Sequence, residues 1–148
     1  MKIALGADHA GFELKEKIKQ HLISSGIQVQ DEGTSSGESV DYPDFARLVG
    51  ADVVEKRADL GILVCGTGIG MSMAANKVAG VRAASVSTEF EAEMAREHND
   101  ANVLTLGARV LDEPTALKVV DKWLHTTFAG GRHQRRVDKI MQIEQRNY

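Results

Sequence analysis

One cysteine in 148 residues cannot close an internal disulfide, so the fold is not stapled and the chain suits a reducing compartment. No apolar run approaches the ~20 residues that span a bilayer, which excludes a membrane-spanning helix from the reading. The N-terminus reaches Asp8 before a signal-peptide hydrophobic region could form. We therefore expect a cytoplasmic protein that is neither inserted nor secreted. An excess of either charge is also missing: 18 Lys and Arg face 21 Asp and Glu, a net charge of -3. That balance argues against a dedicated nucleic-acid binder.

What is present is ordinary for one globular domain over residues 1–148. The chain is 43% hydrophobic and 26% charged, and at this length roughly 68–70% of the unfolded surface can be buried without staples. The charge is uneven along the sequence. Residues 130–148 hold five basic residues (Arg132, Arg135, Arg136, Lys139, Arg146) against Asp138 and Glu144, so this segment is basic and the rest acidic. A local basic cluster suits a small anion.

The pattern alternates strands and helices. Ile3–Gly6 is a short apolar run, and Leu14, Ile18 and Leu22 then recur at helical spacing. Gly26 closes that helix, Ile27 and Val29 alternate with glutamines, and 31–39 is a polar loop. Asp44–Lys56 has helical periodicity with Pro43 near its start, where a missing N–H costs nothing. Asp59–Cys65 is almost continuously apolar, as a central strand covered on both faces requires. A glycine-rich turn follows at 66–70, then a helix at 71–78, a strand at 81–86, a helix at 88–97, a strand at 102–106 and a helix at 113–126. Five strands alternating with helices predict a three-layer α/β domain with a mainly parallel sheet and right-handed crossovers. The spacing predicts a last helix over 132–146 with a narrow apolar stripe of Val137, Ile140, Met141 and Ile143. It packs either on its own domain or across a two-fold axis.

In open α/β sheets, ligands bind beyond the carboxyl ends of the strands. The first strand ends in Asp8-His9 and the third in Cys65-Gly66-Thr67-Gly68-Ile69-Gly70, while His98-Asn99-Asp100 precedes the fifth. The glycine turn lacks the third glycine of a dinucleotide fingerprint, since that place is Met71, and no lysine follows Gly11 to make a P-loop. Gly66, Gly68 and Gly70 instead suit a turn whose N–H groups point inward at a helix start and favour an oxyanion or phosphate. A cysteine phosphatase would need arginine where Met71 stands. Cys65 is either a small buried hydrophobe or a thiol activated by the helix N-terminus that follows it, and His98 a general acid or base or simply a satisfied histidine. The five histidines show neither H-x-x-x-H nor H-E-x-x-H spacing, so no metal site is expected. Arg132 and Arg136 lie four apart on one helix face, and arginine forks match phosphate.

Taken together, Gly6-Ala7-Asp8-His9-Ala10-Gly11, Asp41-Tyr42-Pro43, Cys65 to Gly70, Ala74-Ala75-Asn76-Lys77, Arg96 to Asp100 and Gly130-Gly131-Arg132-His133 resemble the type B ribose-5-phosphate isomerases, relatives of galactose-6-phosphate isomerase. The resemblance runs along essentially the whole chain. It implies a Rossmann-like sheet and a homodimer whose active site takes residues from both chains, with some members forming tetramers. It also implies an aldose–ketose isomerisation of the pentose phosphate pathway that needs no metal or organic cofactor.

Carried over by that resemblance, Cys65 is the base that moves a proton between C2 and C1, and His98 opens the furanose ring. Asp8 and Thr67 lie near the sugar oxygens, and Tyr42 and Asn99 contact hydroxyls. Gly66, Gly70, Met71 and Ser72 form the hole for the enediolate. His9, Arg109, Arg132 and Arg136 clamp the phosphate, with His133 beside them. Cysteine at position 65 places the chain with the cysteine subtype. The expected partner is a small sugar phosphate, with no nucleic acid or membrane. Two other readings stay open: a hexose phosphate isomerase acting on allose 6-phosphate or galactose 6-phosphate, and a sugar-phosphate sensor without turnover.

Overall fold

The computed structural model describes residues 1–146. Its element order is β1 (Lys2–Ala7), α1 (Phe12–Ser24), β2 (Gln28–Asp31), α2 (Tyr42–Val54), β3 (Leu60–Cys65), α3 (Ile69–Ala75), β4 (Ala83–Ser85), α4 (Glu89–Glu97), β5 (Val103–Gly107), α5 (Glu113–Leu124) and α6 (Arg132–Glu144). The strands lie in the order β2-β1-β3-β5-β4, and every pairing is parallel. The expected three-layer α/β domain is thus observed, and its sheet is parallel throughout rather than mainly so. The parallel arrangement follows from helices that return each strand's end to the starting edge.

Two apolar layers cover the sheet. Leu14, Ile18 and Leu22 of α1 pack on one face with Ala92 and Ala95 of α4 and Ala116, Val119, Val120 and Trp123 of α5. Ala46, Val49 and Val53 of α2 and Met71 and Ala75 of α3 pack on the other. β3 is covered on both faces, which is why its sequence is nearly all apolar. Removing a wholly buried side chain such as Trp123 costs about 3–5 kcal/mol in proteins generally.

Several element ends differ from the sequence reading. Helix α3 starts at Ile69 and stops at Ala75, rather than covering 71–78. Gly68, with φ of +82°, already turns the chain into the helix, and the Asn76 side chain is drawn away from it. β4 spans 83–85 rather than 81–86 because Val81 is buried in the α2–α3 layer. Helix α5 stops at Leu124 rather than 126, where the His125 ring closes back on the Asp121 carbonyl. Helix α6 ends at Glu144, two residues early, with Arg146 at a φ of +58°. Residues 147 and 148 of the basic C-terminal segment lie outside the described residues.

Helix α6 lies against its own domain. It packs on its own chain through buried Val137 and through an Arg82 guanidinium contact to Met141 Sδ at 3.5 Å. Glu144 accepts the Gly80 N–H at 3.0 Å. Ile140 and Ile143 nevertheless remain exposed, and beside them a largely apolar groove of about 530 Å³ runs along the β4 edge. At that edge the Asn76 amide both accepts from the Ala83 N–H (2.8 Å) and donates to the Ala83 carbonyl (3.0 Å).

Candidate active site

The chain direction reverses between β1 and β3, since β2 lies on one side of β1 and β3 on the other. Their carboxyl ends therefore open the crevice where ligands bind in such sheets. The two ends are tied together: the Asp8 N–H donates to the Val64 carbonyl at 3.2 Å. Asp8, buried, accepts from the Ala10 and Gly11 N–H groups, both at 3.0 Å, through Oδ1. Its other oxygen makes no hydrogen bond among the described residues. His9 is pinned through its ring, because Nδ1 accepts the Val40 N–H at 3.2 Å. In that tautomer the remaining proton sits on Nε2, which is then a donor suited to an anion.

Cys65 ends β3, and its Sγ accepts the Gly68 N–H at 3.2 Å. The buried Thr105 hydroxyl donates to the Gly68 carbonyl at 2.9 Å and so anchors the turn from below. Thr67 is exposed, and its hydroxyl accepts the Ile69 N–H. Gly70 and Met71 lie in the first turn of α3, where N–H groups lack an intrahelical acceptor, and Ser72 follows them. Ser72 closes onto Gly68, its N–H donating to that carbonyl at 3.1 Å.

Two glycines lie in close approach to site side chains here. A Cβ on Gly70 would sit 2.7 Å from Cζ of Tyr42, and one on Gly66 would sit 3.1 Å from a guanidinium nitrogen of Arg109. Tyr42 comes from the start of α2 and Arg109 from just beyond β5. Asp8, His9, Tyr42, Cys65, the 66–72 turn and Arg109 thus gather at one edge of the sheet.

The other expected site residues do not join them. His98 caps the C-terminus of α4, its N–H bonded to the Met94 carbonyl at 2.9 Å. That helix has returned to the opposite edge of the sheet. Asn99 follows it, exposed. The His98 and His133 rings stack with centroids 4.2 Å apart and planes 8° from parallel. Arg132 and Arg136 extend from α6 at the same edge, exposed and without an ion pair among the described residues. β3 and β5 pair from Gly61↔Val103 to Cys65↔Gly107, which puts the two edges about 13 Å apart along the strands. Within one chain the expected residues form two separate half-sites.

Sequence reading missed what holds the second half-site rigid. Arg82 donates to the Asp100 carbonyl at 2.8 Å and Arg96 to the Asp100 carboxylate at 3.0 Å, while Asp100 itself has a φ of +46°. The turn bearing His98 and Asn99 is therefore clamped by two arginines. An Arg-to-Asp spacing of four was the one available signal. Desolvation of the half-buried His133 ring, then its neighbours His98, Arg132 and Arg136, hold that imidazole below its ordinary range against the opposing pull of Glu97. Among the described residues no group of three acidic, histidine or cysteine side chains is placed to hold a metal ion, and no helix is long and apolar enough to cross a membrane.

Residues 3–140 match the model of the family described as ribose/galactose isomerase. The chain belongs to that family. It is 50% identical to ribose-5-phosphate isomerase B of Escherichia coli strain K12 over 145 residues, covering 98% of this chain and 97% of the relative. The structure of Clostridium thermocellum ribose-5-phosphate isomerase B superposes with a TM-score of 0.98 at 51% identity, covering all of both chains. That of the Mycoplasma genitalium ribose-5-phosphate isomerase B with bound ribulose 5-phosphate gives 0.94 at 47% identity, covering 97% of this chain and 96% of the other. This ribose/galactose isomerase family member therefore shares its fold with those ribose-5-phosphate isomerase B chains over nearly their whole length.

Proposed function

We propose that the chain interconverts D-ribose 5-phosphate and D-ribulose 5-phosphate, in the cytoplasm, at a site that two copies complete together. The observation that carries this reading is the separation of the two half-sites. One edge holds a thiol, a turn of N–H donors and Arg109, while the other holds His98, Asn99, Arg132 and Arg136. A five-carbon sugar phosphate cannot touch both within one chain. A two-fold pairing that sets one copy's Cys65 edge against the other's His98 edge makes two identical complete pockets, and closed two-fold symmetry is the commonest assembly.

In that pocket the chemistry follows from the groups present. His98 protonates the ring oxygen as the C1–O4 bond breaks, and Asp8 accepts the proton of the anomeric hydroxyl as C1 becomes a carbonyl. The Cys65 thiolate then takes the C2 proton. The electron pair left on C2 forms the enediol double bond, and negative charge collects on oxygen. The N–H groups of Gly66, Gly70 and Met71, with Ser72, face that charge. Preorganised donors of this kind are worth about 10²–10³ in rate each. The proton of the C2 hydroxyl passes to the oxygen on C1, and return of the proton from Cys65 to C1 as C2 becomes a carbonyl gives the ketose. Arg109, His9, Arg132 and Arg136 hold the phosphate, so binding energy far from the reacting carbons fixes C1 and C2 against the sulfur.

The test is turnover of D-ribose 5-phosphate in the presence of chelator, with D-allose 6-phosphate and D-galactose 6-phosphate run alongside. Pentose turnover well above both hexoses is expected. Turnover of a hexose phosphate alone would overturn the substrate, and binding without turnover of any would leave a sensor.

A further inference from the structure

His98 and His133 come from different elements, and their meeting is built into the backbone. Gly130 and Gly131 have φ of +65° and +57°, a conformation that side-chain-bearing residues rarely adopt. The Ala129 N–H donates to the Glu97 carbonyl at 3.0 Å, and the His133 N–H to the Gly130 carbonyl at 3.0 Å. These bonds fold the chain after α5 back onto the end of α4 and lay the first turn of α6 on His98. The resulting stack is nearly parallel.

A single imidazole at a helix end turns about χ2 with little resistance, because that torsion is broad. A flat partner at stacking distance leaves one ring plane. The ring nitrogens of His98 point outward within that plane, so fixing the plane fixes the directions in which the ring can give or take a proton. We propose that His133 is a positioning residue for ring opening: its imidazole, stacked on His98, sets the plane of that ring and hence the line along which His98 delivers a proton to the substrate's ring oxygen. This rests on the reading of His98 as the ring-opening group. It gives His133 a role in the closed-ring step that phosphate holding alone would not.

The surrounding charges agree with the geometry. The titratable and charged groups facing the pair are Glu97, on His98's own helix, and Arg132 and Arg136, on α6. Glu97 lies 4.0 Å from His98 Nε2. The two arginines and His98 itself discourage a proton on His133. The ring stacked on His98 is therefore a neutral platform near neutral pH, and two like charges do not face each other across the stack.

Ribose 5-phosphate rests mainly as a closed furanose, whereas ribulose 5-phosphate, with its C5 oxygen esterified, cannot close that ring. Net isomerisation needs the ring step, whereas exchange of the ribulose 5-phosphate C1 proton with solvent deuterium needs only the proton transfer at Cys65, so the two measurements separate ring opening from the later proton transfer. Three variants of the full-length protein are compared, His98→Asn, His133→Ala and His133→Phe, each checked for an unchanged circular dichroism spectrum and assembly state. His133→Ala should lose about 10-fold or more in kcat/KM toward ribose 5-phosphate, within the range that a misplaced catalytic group costs. In the same variant, the Cys65-dependent exchange of the ribulose 5-phosphate C1 proton with D2O should stay within about 3-fold, since that reaction goes only as far as the enediolate and involves no ring step. The flat but non-titrating ring of His133→Phe should restore most of the loss.

Equal losses in isomerisation and in C1 proton exchange, with weaker inhibition by inorganic phosphate, would overturn the proposal and leave His133 a phosphate ligand. No loss in His133→Ala, or no rescue by phenylalanine, would overturn it as well. If His98→Asn itself lost isomerisation and C1 proton exchange equally, the underlying ring-opening role would fall first, and the two failures are thereby told apart.

Discussion

Lys15 Nζ lies 2.8 Å from each carboxylate oxygen of Asp31, although the lysine is wholly buried. The pair joins α1 to the end of β2, and its effect runs on to the site. Asp31 Oδ1 also accepts the Gly33 N–H at 2.9 Å, the Gly33 carbonyl accepts from Ala7, and the Thr34 N–H donates to the Ala7 carbonyl. The residue before Asp8 is thus held through a buried ion pair.

Replacing Lys15 by methionine should destabilise the protein by about 3 kcal/mol, because it leaves a carboxylate without its main partner. Lys19, 3.0 Å from Asp31, keeps the loss at the low end of what breaking a buried pair costs. Urea denaturation at fixed protein concentration measures it, and Asp31→Leu added to Lys15→Met should recover part of the loss.

The same pair gives an acid dependence. Burial pushes the Asp31 carboxyl up, but hydrogen bonds from Lys15, the Gly33 N–H and Lys19 outweigh it and hold the group below its ordinary value of 3.8. A depressed folded-state value means that the stabilisation is complete above about 3.8 and is lost as the pH falls through the lower value. Denaturation midpoints measured from pH 6 downward should therefore fall less steeply in Asp31→Asn than in the parent. Parallel curves would remove Asp31 from the acid response.

Cys65→Ala should abolish turnover, by about 10³-fold or more, the range of a lost general base. Binding of ribulose 5-phosphate, measured by calorimetry, should change little because the phosphate groups carry it. Near-normal turnover would remove Cys65 from the proton transfer.

Mixing Cys65→Ala with an Arg132→Ala/Arg136→Ala double variant tests the shared pocket directly. After subunit exchange, half the dimers are hybrids, and each hybrid has one of its two pockets intact. Activity should then rise from near zero to about a quarter of the parent's. A mixture as inactive as its components would show that each pocket is built within one chain.

Gly70→Ala should reduce kcat/KM by about 10²-fold, because the new Cβ would displace the Tyr42 ring that lies 2.7 Å from its position. Combining it with Tyr42→Ala should then add little further loss, which steady-state kinetics on the three variants would reveal.

Much of this architecture could be read from side-chain pattern alone. Leu60–Cys65 announces a strand covered on both faces, and Asp8 and Cys65 fall at strand ends where α/β sheets bind ligands. Asn76 shows the limit of pattern. Nothing local tells that its amide leaves the helix to bond Ala83, seven residues on, so the ends of α3 and β4 were misplaced. The site shows the same limit. His98 is visible as a candidate, but that it lies opposite Cys65 depends on the direction of α4. That His133 lands on it depends on two glycines and a carbonyl at Glu97, contacts that no periodicity encodes.

The amide of Asn76 has a consequence for how copies can meet. An open strand edge is a template on which another chain can continue the hydrogen-bond ladder, the route to runaway aggregation. At β4 the outward N–H and carbonyl of Ala83 are already occupied by a side chain of the same molecule. Neighbouring molecules are thereby denied backbone pairing at that place, and association is steered to side-chain surfaces, whose shape can limit growth to a closed, countable particle.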